Sequence, residues 1–246
     1  MGKRFIKEGI TNPQVLAIDQ KLFSAKGPLW HVKDRKKGEI PNSLTGVDKD
    51  SEWGYCSNKG WVQGYSLDIL CTATKGSPTV PIDASSDTAN VDGKGFASDA
   101  LINLPSSTKY VGADGNYDSN ELICLVEEKK NEKYITRRLV TPIGTGKSSS
   151  KERKDYKRYL KTKKGKEVYN RRSVTVEPLF EKIKSLFEME PVWMRGKMNV
   201  APLLLLCVYT YQLLLYYNVV KEQSLVKEST GQRLAIANVK YILDGL

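Results

Sequence analysis

A run of 23 residues without a charge, Met198 to Val220 (MNVAPLLLLCVYTYQLLLYYNVV), restricts this chain more than any other stretch. Its length suits a membrane span. The run also carries Pro202, Thr210, Gln212 and four tyrosines, and no other segment is apolar enough to span beside it. A helix that is apolar all round is equally what a buried core helix looks like. Two readings stay open at this point. One is a core helix inside a folded domain, and the other is a single span with a basic face turned towards anionic lipid.

The rest of the chain supplies what a core helix needs to pack on. Pro13 to Asp19 (PQVLAID) is a short apolar run closing on an acid and reads as a buried strand. Tyr65, Leu67, Ile69 and Cys71 alternate with mostly polar residues, the two-residue period of a strand. Further strands are predicted at Thr79 to Ile82, Lys109 to Asp114 (KYVGAD) and Glu132 to Val140, with a helix over Phe96 to Leu104. Asp118 and Glu121 form a capping-box pattern that starts a helix running to about Lys130. Residues 20–60, rich in Lys, Gly, Trp and Tyr, read as a long hairpin or loop with exposed aromatics. This order predicts an α/β fold, a mixed sheet with helices packed on it. At 246 residues the chain holds one good-sized domain, or one with an insertion and a tail.

The stretch Val168 to Phe187 (VYNRRSVTVEPLFEKIKSLF) predicts an amphipathic helix. Val176, Leu179, Phe180, Ile183 and Phe187 fall on one face, Thr175 stands at the N-cap, and Pro178 lies near the start, where a helix tolerates it. Glu177 then sits in the first turn at the margin of the buried stripe, and Lys184 follows two turns along the same side. A carboxylate so placed is held by packing yet reaches solvent; its bland role would be to complement the helix dipole.

The net charge is +11, but it is unevenly spread. From Lys147 to Arg172 there are twelve Lys/Arg against three acids, a local +9 that leaves +2 for the remainder. Twelve cations in 26 residues cannot be buried unpaired, so this segment reads as a mobile insertion facing an anionic partner such as DNA. The four cysteines form no CxxC pair and His31 is the only histidine, which argues against a structural zinc site and against a serine–histidine enzyme. Scattered cysteines with apolar neighbours fit a reducing cytosol. Gly144 to Ser148 (GTGKS) lacks the first glycine of a phosphate-binding loop, since Thr141 stands there.

Asp19 and Asp114 each close an apolar run after a predicted strand, and catalytic groups in sheets flanked by helices gather at carboxyl ends of strands. With Glu177 on a following helix, three carboxylates can converge beside the sheet. Such a set repels itself unless hard cations such as Mg²⁺ join it, and two such ions can activate water and stabilise the leaving oxygen in phosphodiester cleavage.

These residues carry a family resemblance. LAIDQKLFSAKGPLWH around Asp19, YVGADGNYDS around Asp114, YNRR…VEPLFEKIK, and MRGKMNVAPLLLLCVYTYQLLLYYN together resemble DDE transposases of bacterial and archaeal insertion sequences, the insertion sequence four group. The resemblance covers about Val15 to Val220 and implies a ribonuclease H-like catalytic fold over residues 13–220, with a basic insertion at 141–172 and a tail at 221–246. It implies that the apolar run is the family's closing core helix and not a membrane span. It further implies that Asp19, Asp114 and Glu177 hold two Mg²⁺ or Mn²⁺ ions, and that the chain cleaves and joins double-stranded DNA at element ends, working as a homodimer in the cytoplasm on the nucleoid. Tyr169, Arg172 and Lys184 would contact end phosphates, with Lys161, Lys163, Lys164 and Lys166 adding to the DNA surface. Four residues separate Arg172 from Glu177 where the family usually has three, whereas the Glu177–Lys184 spacing agrees. The family also carries a DNA-binding region ahead of the first strand, and only 18 residues precede Asp19. The alternative expectation is therefore a shortened relative that binds DNA without cutting it.

Overall fold

The first apolar run becomes β1 (Val15–Ser24), which extends five residues past Asp19, with Leu22 and Phe23 buried on opposite faces of the sheet. β2 (Glu52–Cys56) and β3 (Gly60–Thr72) form an antiparallel hairpin, and β4 (Pro81–Thr88) returns along the same edge of β3. The other edge of β3 pairs antiparallel with β1, which in turn pairs parallel with β5 (Tyr110–Gly112). β5 pairs parallel with β7 (Tyr134–Val140), and β6 (Glu128–Asn131) closes that edge antiparallel. The computed structural model describes residues 1–131, 134–142 and 151–228, and its sheet runs β2-β3-β1-β5-β7-β6 with β4 also on β3. A mixed sheet flanked by helices, three strands antiparallel and then two parallel, is compatible with a ribonuclease H-like fold.

Helices cover both faces. α1 (Gly2–Lys7) and α2 (Val32–Lys37) are short. One core joins Leu16, Ile18 and Leu70 of the sheet to α3 (Lys94–Ile102) and α4 (Asn120–Val126). The opposite face, with Ala17, Leu67, Ile69 and Cys71, packs under α7 (Val176–Leu186) and α8 (Lys197–Glu228). α7 buries Val176, Leu179, Phe180 and Ile183 of the predicted stripe, while Phe187 caps the helix end and is half-buried.

Three expectations change here. The capping-box helix ends at Val126, four residues short, because Glu127 turns extended and the chain enters β6, a strand the sequence did not announce. Residues 20–60 are not one hairpin or loop. They hold the end of β1, α2 and β2, with Trp53 and Tyr55 on the β2–β3 hairpin and Trp30 buried ahead of α2. The basic segment, expected to be mobile, instead folds as α5 (Lys151–Lys161) and α6 (Lys163–Ser173), while residues 143–150 of it lie outside the described residues. Tyr156 and Val168 anchor these helices in the core, while Lys157, Arg158, Lys161, Lys163, Lys164 and Lys166 are exposed. Gly165 permits the tight α5–α6 junction, because a Cβ there would stand 2.2 Å from the Tyr159 carbonyl oxygen.

By length and composition α8 is apolar enough to cross a membrane, with 39% of its most apolar window buried. It packs along β3 and β4 through Val200, Leu204, Cys207, Val208 and Tyr211. Gln212 Nε2, itself buried, donates to the Pro81 carbonyl at 2.8 Å and ties the helix to β4. At its start, the buried Asp48 carboxylate accepts from Gly196 N at 3.1 Å and from Tyr65 Oη at 2.8 Å.

Candidate active site

Asp19 sits mid-strand in β1, opposite Ile69 of β3, and its side chain projects from the face covered by α7. Asp114 lies two residues past β5, where it caps a single 3-10 turn (Gly115–Tyr117). Its Oδ1 accepts from Asn116 N at 2.9 Å, and its carbonyl oxygen accepts from the buried Thr141 hydroxyl beyond β7. Glu177 occupies the first turn of α7 with a side chain 59% exposed, further into solvent than the margin predicted for it. Thr175 precedes this helix without capping it, because its hydroxyl donates back to the Arg171 carbonyl at 2.6 Å. The parallel register of β1 and β5 brings the two aspartates to the same end of the pair, with α6 packed on both strands and α7 on β1.

All three carboxylates line one cleft of about 1090 Å³. Arg172, from the last turn of α6, stands between them: its Nη1 donates to Asp19 Oδ2, and its Nη2 lies 3.9 Å from Glu177 Oε1. Burial pushes the Asp19 carboxyl up to about 6; Arg172 opposes that shift, and Asp114 and Glu177 add to it by repulsion. Six acids and four bases line the cleft, so a chain with a net charge of +11 surrounds a cleft that is net negative by two. This carboxylate-rich, partly desolvated donor set fits a hard divalent cation in chemistry. Among the described residues, however, no three acidic, His or Cys groups stand together as a ready ion cage. Arg172 is the positive charge paired with Asp19 and nearest Glu177.

The remaining sequence candidates divide. Arg172 was expected on DNA phosphates; here its guanidinium is engaged by Asp19. Tyr169 lies under Arg172, its ring centroid 5.8 Å from the guanidinium carbon. Lys184 pairs with Glu181 at 3.6 Å, one turn from its own position. Neither Tyr169 nor Lys184 lines the cleft. Lys161, Lys163, Lys164 and Lys166 are exposed at the α5–α6 junction, with Lys164 Nζ over the Tyr110 ring at 5.7 Å and 3.4 Å from Glu167.

Sequence reasoning missed Asp68. It follows the alternation of β3 as an outward polar residue, but helices cover both faces of this sheet and Asp68 is only 4% exposed. Burial pushes its carboxyl up to about 7, against the pull of Gln20 and with repulsion from Asp19. Its Oδ1 and the buried Tyr117 hydroxyl both lack a hydrogen-bond partner, and both lie beside Gly93, within 2.6 Å of where a Cβ would stand there. The only hint in the sequence was an acid between two apolar residues.

No protein-family model and no curated protein matches the chain. Among solved structures, a piggyBac transposase in a synaptic complex with hairpin DNA is similar, at 16% identity and a TM-score of 0.33. The match covers 61% of this chain and 28% of that transposase. At that level the description of the fold rests on strand order and direction.

Proposed function

We propose that this chain is a DDE-type transposase that cleaves and transfers DNA strands in the cleft, with Asp19, Asp114 and Glu177 as its acidic triad. One observation carries the reading: three acids far apart in sequence line one net-negative cleft, gathered about Arg172. Asp19 and Asp114, with Glu177 completing the set, would hold divalent ions, which would supply a water of lowered pKa and offset charge on the scissile phosphate. The chain's own groups prepare for this. Thr141 and Asn116 fix the Asp114 turn, so its carboxylate is presented without rearrangement. Arg172 orients Asp19 and opposes its protonation, and would be placed to reach a phosphate oxygen in the cleft. Glu177, on the solvent side of the cleft with Arg172 3.9 Å away, is the third acid of that set. The α5–α6 lysines provide sequence-independent phosphate contacts outside the cleft.

The deciding experiment is strand nicking of duplex DNA in Mn²⁺ by the native protein and by Asp114→Asn. Loss of nicking by roughly 10²- to 10³-fold is expected, the scale of removing one group that stabilises the transition state. Equal nicking by the two proteins would end the catalytic reading. The second reading, a protein that binds DNA without cutting, is favoured by one feature, the Arg172–Asp19 pair where an ion ligand should be free. Under that reading the native protein retards duplex DNA and nicks none of it.

A further inference from the structure

The β2–β3 hairpin places two large rings where a folded chain rarely leaves them. Tyr55 and Trp61 are 66% and 67% exposed, are partners in the ladder, and meet edge-to-face at 5.5 Å. Both line the cleft that holds Asp19, Asp114 and Glu177. The other flank of Trp61, with the half-buried Trp53, borders a shallow, largely apolar recess against His31, Val32 and Lys33 at the start of α2. Lys33, Lys36 and Lys37 of that helix are exposed. The rings thus form a track from the recess at the start of α2, where Lys33 stands, to the wall of the cleft.

The hairpin is held, not loose. Gly54 lies so close to the end of β4 that a Cβ there would stand 2.0 Å from the Ala89 carbonyl oxygen. Near the tip, Lys59 Nζ reaches Glu190 at 2.7 Å, and Glu190 also accepts from Ser24 N at 3.0 Å. Trp53 Nε1 donates to the Trp30 carbonyl at 2.9 Å, which fixes the inner ring of the track.

We propose that this hairpin is a stacking platform for an unpaired DNA strand, with Trp61 and Tyr55 taking successive bases and the α2 lysines their phosphates. The inference rests on the reading of the cleft as a DNA site and adds the strand state that the site accepts. Exposed rings interleaved with cations suit a single strand, whose bases are free to stack, and not a duplex, whose bases already stack on each other. A strand lying on the platform leads its backbone towards the carboxylates, because the same two rings form part of the cleft wall. Chemistry at a phosphodiester there is then easiest where the DNA next to the break is opened.

The test is fluorescence anisotropy of the full chain with an oligothymidylate of about 16 nucleotides and with a duplex of equal length, in EDTA. Trp61→Ala and Tyr55→Ala each weaken binding of the single strand by about tenfold and of the duplex by less than about twofold. Trp61→Phe keeps most of the affinity, since the ring and not the indole N–H is what stacks. Three results overturn the proposal: unchanged single-strand affinity in both alanine variants, an equal loss on both DNAs, or a Trp61→Ala variant that changes from dimer to monomer in sedimentation while binding the oligonucleotide normally. Thermal melts of the variants exclude misfolding. Because divalent ions are absent, failure of the catalytic reading in the Asp114→Asn assay leaves this result standing, and failure here leaves nicking unaffected.

Discussion

At the residue scale, two buried carboxylates set the pH behaviour. Asp19 has its pKa raised to about 6 and Asp68 to about 7, both first by burial. A carboxyl whose folded pKa lies above its unfolded value binds more protons folded than unfolded between the two. Its contribution to stability is therefore full below the unfolded pKa and falls as pH rises through the folded one. For Asp68 that window runs from the ordinary carboxyl range near 4 up to about 7. Asp68→Asn removes the charge and keeps the shape, so it should raise unfolding free energy at pH 8 by about 1–3 kcal/mol and change little below pH 4. Thermal unfolding at the two pH values checks this; a variant less stable at pH 8 contradicts it. Asp19 sets the parallel expectation for ions. Calorimetric titration with Mn²⁺ should show affinity climbing as pH rises to about 6 and levelling above it. An affinity flat from pH 5 to 8 would remove Asp19 from the ion site.

At the scale of elements, the α5–α6 pair shows how a strongly basic segment becomes ordered. Its apolar and aromatic residues are few but well placed. Tyr156 enters the α3–α4 core, Arg138 stacks over Tyr159 at 4.2 Å, and Tyr110 stacks on Tyr159 with centroids 6.3 Å apart. The junction depends on Gly165. Gly165→Ala should lower stability by about 1–3 kcal/mol through overpacking, read from denaturant unfolding. The outward lysines serve a different purpose. Replacing Lys161, Lys163, Lys164 and Lys166 together with Ala should weaken binding to all duplexes alike and reduce the salt slope by roughly 3 to 4. An unaltered slope would mean that the DNA surface is elsewhere on the molecule.

For the whole molecule, α8 decides how the second face of the sheet is covered. Leu204 is fully buried and Val208 nearly so, in one core with Ile69 and Phe180. On the other side Met198, Leu206, Tyr209 and Tyr217 are exposed. A helix serving as core predicts that Leu204→Ala costs about 2–5 kcal/mol of unfolding free energy, because a cavity is left beneath it. A loss below about 0.5 kcal/mol would show that the helix does not belong to the core.

The sequence by itself determined the elements whose patterning is local. The α7 stripe, the apolar starts of β1 and β5 that lead to Asp19 and Asp114, and the uncharged 23-residue run inside α8 are set by periodicity and by where charges are absent. Those local signals were enough to nominate three acids. Only the tertiary structure decided what surrounds them. Parallel pairing of β1 with β5 is a long-range choice of strand order, and it sets Asp19 beside Asp114. Packing of α6 against that pair carries Arg172 to Asp19, a contact between residues 153 positions apart that no sequence period encodes. Asp68 became a buried acid only because helices close over both faces of β3, turning a position that alternation marks as outward into one shut away from water. The basic segment is ordered for the same reason: a few buried rings fix its helices, while charge density alone favours a solvated coil.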